Sequence, residues 1–280
     1  MSYSYPLSLP SDNPLVTVTH PTSTLWVIEL HNGADSRLTD VLLLRGIIPA
    51  LDTVEKHWRE NWRAGKAKKD EGLCKGLDYD NAIKDPSFGT NFFPSMHRLT
   101  YPIYNPMIER LLALPIPTIA AVNGHAFAGG MALAMACDYR VMTDGSKRNA
   151  WISMNEIQFG ATLPLSLAAI LKAKAPNPQI LRKIILEGHR FTPKEALEVG
   201  LVDRIIPGTT EDIIAEAQSL ADSLSTLPTQ GAWGLNRIVI IGDVLCRSSS
   251  GLMFDFPIYA ISRASNFLGP VAYECILAGQ

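Results

Sequence analysis

The stretch Ala120–Asp138, AAVNGHAFAGGMALAMACD, decides how the rest of the chain is read. An apolar strand, Ile116–Val122 with Pro117 inside it, breaks at Asn123-Gly124. The chain then passes a second glycine pair, Gly129-Gly130, and continues as Met131–Cys137, small and apolar on every side. A segment with no polar face predicts a buried helix. Strand, glycine loop and buried helix together set backbone N–H groups at a helix N-terminus, where they can hold negative charge. Glycine at 129 and 130 lets the backbone approach a ligand with no side chain in between. The same residues also describe a tight strand-to-helix turn packed in a core, and the local pattern does not choose between the two.

Working outward, 280 residues suffice for one large domain or two small ones, and 47% hydrophobic against 19% charged residues describes a globular chain with a sizeable core. A net charge of −2 gives no reason to expect a nucleic-acid partner. The apolar runs break well short of a membrane span, and the start MSYSYPLSLPSDNP has neither the basic nor the apolar region of a secretory signal. Cys74, Cys137, Cys246 and Cys275 form no CxxC pair and share no ligand-like spacing with the histidines, so free thiols in a reducing compartment are expected and a metal site is not.

Residues 1–14 read as a flexible lead. Leu15–His20 and Thr24–Leu30 read as a hairpin around Pro21–Ser23. Leu38–Arg63 is helical by its three- and four-residue apolar steps, with Pro49 expected to kink or split it. The polar run 64–75, AGKAKKDEGLCK, reads as a solvated loop, and Ile103–Leu114 as a helix stopped by Pro115. Beyond the central stretch come a short strand at Tyr139–Met142, another starting at Ala150–Ser153, and helices over Leu163–Ala173 and Pro178–Leu186. Thr192-Pro193-Lys194-Glu195 has capping-box spacing with proline at the first helical position. Leu201–Ile206 reads as a strand, Thr210–Leu224 as an amphipathic helix and Ala232–Val244 as a further one; from Cys246 the periodicity decays. The domain reading is a lead over 1–14, a core over 15–225 and a divergent helical segment over 226–280.

The order of these pieces resembles the crotonase superfamily, the enoyl-CoA hydratase/isomerase proteins. The resemblance is carried by PIPTIAAVNGHAFAGGMALAMACDYRVM, then ISMNEIQFGA, then GHRFTPKEALEVGLVDRII, together with GLDY at 76–79 and the N-terminal hairpin. It implies an α/β fold, a crotonase-like spiral of ββα units with helices around two roughly perpendicular sheets. It further implies an acyl-CoA substrate, assembly as a homotrimer or homohexamer, and no cofactor, coenzyme A being part of the substrate.

The resemblance also assigns residues. The thioester oxygen would lie between the N–H of Leu77, just after Gly76, and the N–H of Gly129, with Lys75, Gly76, Leu77, Asp78 and Tyr79 lining the CoA side. Hydratases of the family carry two catalytic glutamates. One falls three residues after Gly129, where this chain has Ala132; the other matches Glu156, which is present. Hydration needs one group to activate water and another to manage protons, whereas a double-bond shift needs a single base. One retained glutamate in an MNE context therefore looks like a Δ3,Δ2-enoyl-CoA isomerase of fatty-acid oxidation, with Met154, Ile157 and Phe159 expected to raise the carboxyl's pKa. His125 is expected to pack or hydrogen-bond, Asp78 to fix the loop at 77, and Asp138 to cap or pair at the end of the buried helix.

Two departures from the family pattern stand out. No apolar strand precedes Gly76, and Cys246–Gln280 does not resemble the family's charged C-terminal helices. A weak enoyl-CoA hydratase and a catalytically silent acyl-CoA-binding member are the other readings. The compartment implied is peroxisome or mitochondrion; the ending Ala278-Gly279-Gln280 is not a Ser-Lys-Leu address and no Arg-rich leader is present, which leaves the cytoplasm as a third expectation.

Overall fold

The computed structural model describes residues 4–23, 25–32, 38–63, 69–71 and 105–249. Strands β1 (Leu7–Leu9), β2 (Val16–Thr22) and β3 (Leu25–Leu30) form an antiparallel meander, with Leu7 opposite Val18 and Val18 opposite Ile28. Residues 7–9 of the lead read as flexible are thus an edge strand. A π-helical stretch, Leu42–Ile47, runs into helix α1 (Ile48–Arg63). Pro49 is the second residue of α1, directly after the π-helical stretch, so the helical run changes type beside the proline, which has no N–H to donate and disfavours regular α pairing there.

The polar run between Arg63 and Gly76 corrects the sequence reading. Within it lies strand β4 (Lys69–Glu71), which pairs in parallel with β3 on one side, Trp26 opposite Asp70, and with the strand Thr118–Val122 on the other, Glu71 opposite Ile119. Strand pairing is made by backbone groups, so a strand of Lys, Asp and Glu can still occupy the middle of a sheet.

Helix α2 (Asn105–Leu112) leads to β5 (Thr118–Val122), β6 (Ala126–Phe127), helix α3 (Gly129–Ala136), β7 (Tyr139–Thr143) and β8 (Ile152–Ser153). Helices α4 (Leu165–Lys174), α5 (Pro178–Ile185) and α6 (Pro193–Glu198) precede β9 (Arg204–Ile206), α7 (Thr210–Leu224) and α8 (Ala232–Ser249). The larger sheet has seven strands in the order β1-β2-β3-β4-β5-β7-β9, parallel from β3 onward; β6 and β8 form a separate parallel pair.

Alternation along the strands divides the core. Trp26, Ile28, Ala120 and Met142 face the main core with α1, α2, α3 and α4, while Leu25, Val27, Ile119 and Val141 meet Ile213, Ala217, Leu220 and Ala221 of α7 on the other side. Strands covered on both faces have no polar side, which is why β5 reads as an unbroken apolar run. The capping box on α6 is present: Thr192 Oγ1 accepts from Glu195 N–H at 3.3 Å, and Glu195 Oε2 accepts from Thr192 N–H at 2.8 Å. Among the described residues, no helix is long and apolar enough to cross a membrane.

Candidate active site

The small β6–β8 ladder positions the site. Phe127 is paired with Ser153, and the Ala128 N–H donates to the Ser153 carbonyl at 2.9 Å. Because the two strands are parallel neighbours, the chain leaves both in the same direction: Gly129 lies two residues beyond Phe127, and Glu156 three beyond Ser153. Strands so paired are about 4.8 Å apart, so the glycine loop and the glutamate emerge side by side.

Gly129 is the first residue of α3, every residue of which is buried, as the all-apolar pattern predicts. Its N–H stands at the positive end of the helix. The residue before it, Ala128, has φ 51° and ψ −120°, a conformation disfavoured for a residue with a Cβ. That turn swings the chain from β6 into the helix axis. The helix's own hydrogen bonding begins with Ala132 N–H to the Ala128 carbonyl at 3.1 Å.

Glu156 opens a short 3₁₀ turn, Glu156–Phe159, closed by Gly160 at φ 73° with Ala161 N–H donating back to the Glu156 carbonyl at 3.1 Å. The residue is only 9% exposed, and its Oε2 is buried with no hydrogen-bond partner. Burial pushes the carboxyl up from 4.5 to about 7; the Glu156 backbone N–H pulls the other way. Of the neighbours expected to contribute, Met154 is buried, whereas Ile157 and Phe159 are 48% and 40% exposed. A buried carboxyl with a midpoint near neutrality can both take and return a proton.

Ala132 is fully buried inside α3, so no acidic group stands on that helix. The assigned residues Lys75, Gly76, Leu77, Asp78 and Tyr79 lie outside the described residues. His125 packs as expected: its ring stacks on Trp151 at 4.7 Å and its Nδ1 accepts from the Trp151 N–H at 3.1 Å. Asp138 also fulfils its expectation. Its Oδ2 accepts from Thr118 N–H at 2.8 Å and Thr118 Oγ1 at 3.0 Å, and its Oδ1 lies 3.0 Å from Arg237 Nε.

Sequence reasoning missed Arg237, whose signal was a solitary arginine within the apolar run Ala232–Val244. It also missed Ser153 and Gln158, polar residues flanking Glu156 that both donate to the Gly188 carbonyl, at 3.3 and 2.9 Å.

A sequence profile of the family described as Enoyl-CoA hydratase/isomerase matches residues 72–232. Enoyl-CoA delta isomerase 2, peroxisomal, of Arabidopsis thaliana is 32% identical over 128 residues, 46% of this chain and 52% of that protein. Ethylmalonyl-CoA decarboxylase of Xenopus laevis is 29% identical over 189 residues, 65% of this chain and 59% of that one. The chain thus spans little more than half the length of these curated relatives. A solved structure described as an enoyl-CoA isomerase of Mycobacterium tuberculosis superposes with a TM-score of 0.67 at 22% identity, over 85% of this chain and 95% of that one. The last likeness bears on fold alone, and the α/β fold implied by the resemblance is the one found.

Proposed function

The chain belongs to the enoyl-CoA hydratase/isomerase family, and on that premise we propose that it shifts the double bond of a 3-enoyl-CoA to the trans-2 position. One observation carries this reading. A buried carboxyl with an open oxygen and a midpoint of about 7 follows the strand paired to the Gly129 loop, and the neighbouring helix offers Ala132 in place of a second acid. That the relatives include a protein named enoyl-CoA delta isomerase supports it.

In this mechanism Glu156 takes a proton from C2. The C2–H electron pair moves into the carbonyl, which becomes an enolate oxygen held by the N–H groups of Gly129 and Leu77. The enolate oxygen then re-forms the carbonyl, the C1–C2 pair becomes the C2–C3 double bond, and the C3–C4 pair takes the proton from Glu156 at C4, which returns Glu156 to its carboxylate. Charge is created and removed at one oxygen, so donors aimed at it act in the transition state, each worth about 3 kcal/mol. Lys75–Tyr79 form the CoA side of the site. The assembly is a homotrimer or homohexamer serving fatty-acid oxidation in the peroxisome or mitochondrion; the name of the Arabidopsis relative supports the peroxisome.

Purified protein given 3-hexenoyl-CoA tests this. The absorbance of a conjugated thioester is expected to grow with the parent and not with Glu156→Gln. Equal growth with both overturns the role of Glu156. Faster loss of that absorbance from 2-hexenoyl-CoA, by hydration, makes the protein a hydratase, and silence on both substrates makes it a binding member of the family.

A further inference from the structure

Glu156 has no side-chain partner at Oε2, so the place of its carboxyl depends on what holds the turn that carries it. Two residues flank it, and both reach the same atom. Ser153, fully buried, donates its hydroxyl to the Gly188 carbonyl at 3.3 Å, and Gln158 donates its amide Nε2 to that carbonyl at 2.9 Å. Ser153 also faces the other half of the site, since its own carbonyl accepts the Ala128 N–H at 2.9 Å, one residue before Gly129. A continuous chain of hydrogen bonds therefore runs from the glycine loop through Ser153 and Gly188 to Gln158.

The segment after α5 is built for this contact. Phe191 exchanges both backbone hydrogen bonds with Ile152 at 3.0 Å, which lays residues 188–191 along β8. Gly188 has φ +57°, and a Cβ there would stand 2.8 Å from Ile157 Cγ2 and 3.3 Å from Gln158 Cγ, so the turn seats on bare backbone. Arg190 Nη2 donates to Gln158 Oε1 at 3.4 Å, leaving Nε2 for Gly188. The other charged groups of this segment engage elsewhere: His189 faces Glu195 at 3.6 Å, and Arg182 pairs with Glu187 at 3.1 Å.

We propose that the Gly188 carbonyl is the anchor that fixes the Glu156 turn against the Gly129 loop, with Gln158 and Ser153 as positioning residues for the proton transfer. The inference rests on the isomerase reading. Gln158 is exposed and touches no reacting atom, so Gln158→Met removes the donor while keeping length and leaving the fold in place. Its expected signature is a kcat lowered by about tenfold or more with KM within about twofold, as for a misplaced catalytic group with intact binding. Ser153→Ala is expected to change kcat in the same direction.

A second measurement does not need activity. Infrared difference titration of the Glu156 carboxyl, its band assigned by loss in Glu156→Gln, is expected to give a midpoint near 7 in the parent and a lower one in Gln158→Met, where a loosened turn admits water. A kcat unchanged in Gln158→Met, or lowered only in step with folded protein, overturns the anchor, and so does an unmoved carboxyl midpoint. If the parent does not isomerise 3-hexenoyl-CoA, the functional reading fails while the carboxyl titration still decides the anchor.

Discussion

The two ends of helix α3 meet two carboxylates held on opposite terms. At the C-terminal end Asp138 is enclosed by partners: Thr118 donates twice and Arg237 lies 3.0 Å away. Arg237 in turn donates to the carbonyls of Leu114, Ile116 and Ala136, while Arg140 and Lys174 reach the Cys137 carbonyl at 3.1 and 3.3 Å. These cations complement the negative end of the helix. At the N-terminal end Glu156 has a bare oxygen and a midpoint raised to about 7, next to a residue with positive φ. A buried charge that is fully paired is spent on structure, and one left unpaired is available for chemistry.

Exchanging each carboxylate for its amide separates the two roles most sharply. Glu156→Gln is expected to lower isomerisation by about 10²- to 10⁴-fold, the usual worth of a positioned base, while the protein stays folded. Asp138→Asn is expected to lower stability and leave the rate per folded molecule nearly unchanged. Arg237→Met is next in size. It removes the buried arginine that faces Asp138 and leaves that half-buried carboxylate with weaker compensation, so it should cost about 1–3 kcal/mol in urea unfolding. Combining it with Asp138→Asn should return much of that loss, since removing both charges removes the penalty.

The pH dependence is expected to differ as well. Glu156 binds its proton more tightly folded than unfolded, so its contribution is fully present below pH 4.5 and is lost as pH rises through about 7. The parent should lose on the order of 3 kcal/mol relative to Glu156→Gln across that window, seen as a closing gap in denaturant midpoints. The rate should rise through the same window as the base ionises. Ala128→Gly is the smallest test: relief of the positive φ, partly offset by the greater freedom of glycine in the unfolded chain, should stabilise by up to about 1 kcal/mol.

Much of this arrangement could be read from residues. The all-apolar Met131–Cys137 gave a buried helix because burial on every side leaves no polar stripe, and Thr192-Pro193-Lys194-Glu195 gave a helix start because its hydrogen bonds are local. Glu156 stood out only through the frame around it. What escaped were features set by distant partners. Lys69–Glu71 is a strand because β3 and β5 present their backbones to it, and nothing in its side chains announces that. Leu7–Leu9 is a strand because β2 pairs with it and the main core receives Leu7 and Leu9. Arg237 is silent until α8 lies beside the end of α3.

The place of β4 in the sheet has a consequence for how the molecule yields. The hairpin half of the sheet and its parallel half are stitched through Lys69–Glu71, and among the described residues β4 meets β5 at Asp70–Thr118 and Glu71–Ile119. Helix α7 lies across that seam like a splint, its Ile213, Ala217, Leu220 and Ala221 packed on Leu25 and Val27 from one half and Ile119 and Val141 from the other. A helix that touches no reacting group therefore clamps the two halves of the sheet together, and loosening it would part the sheet at that seam first.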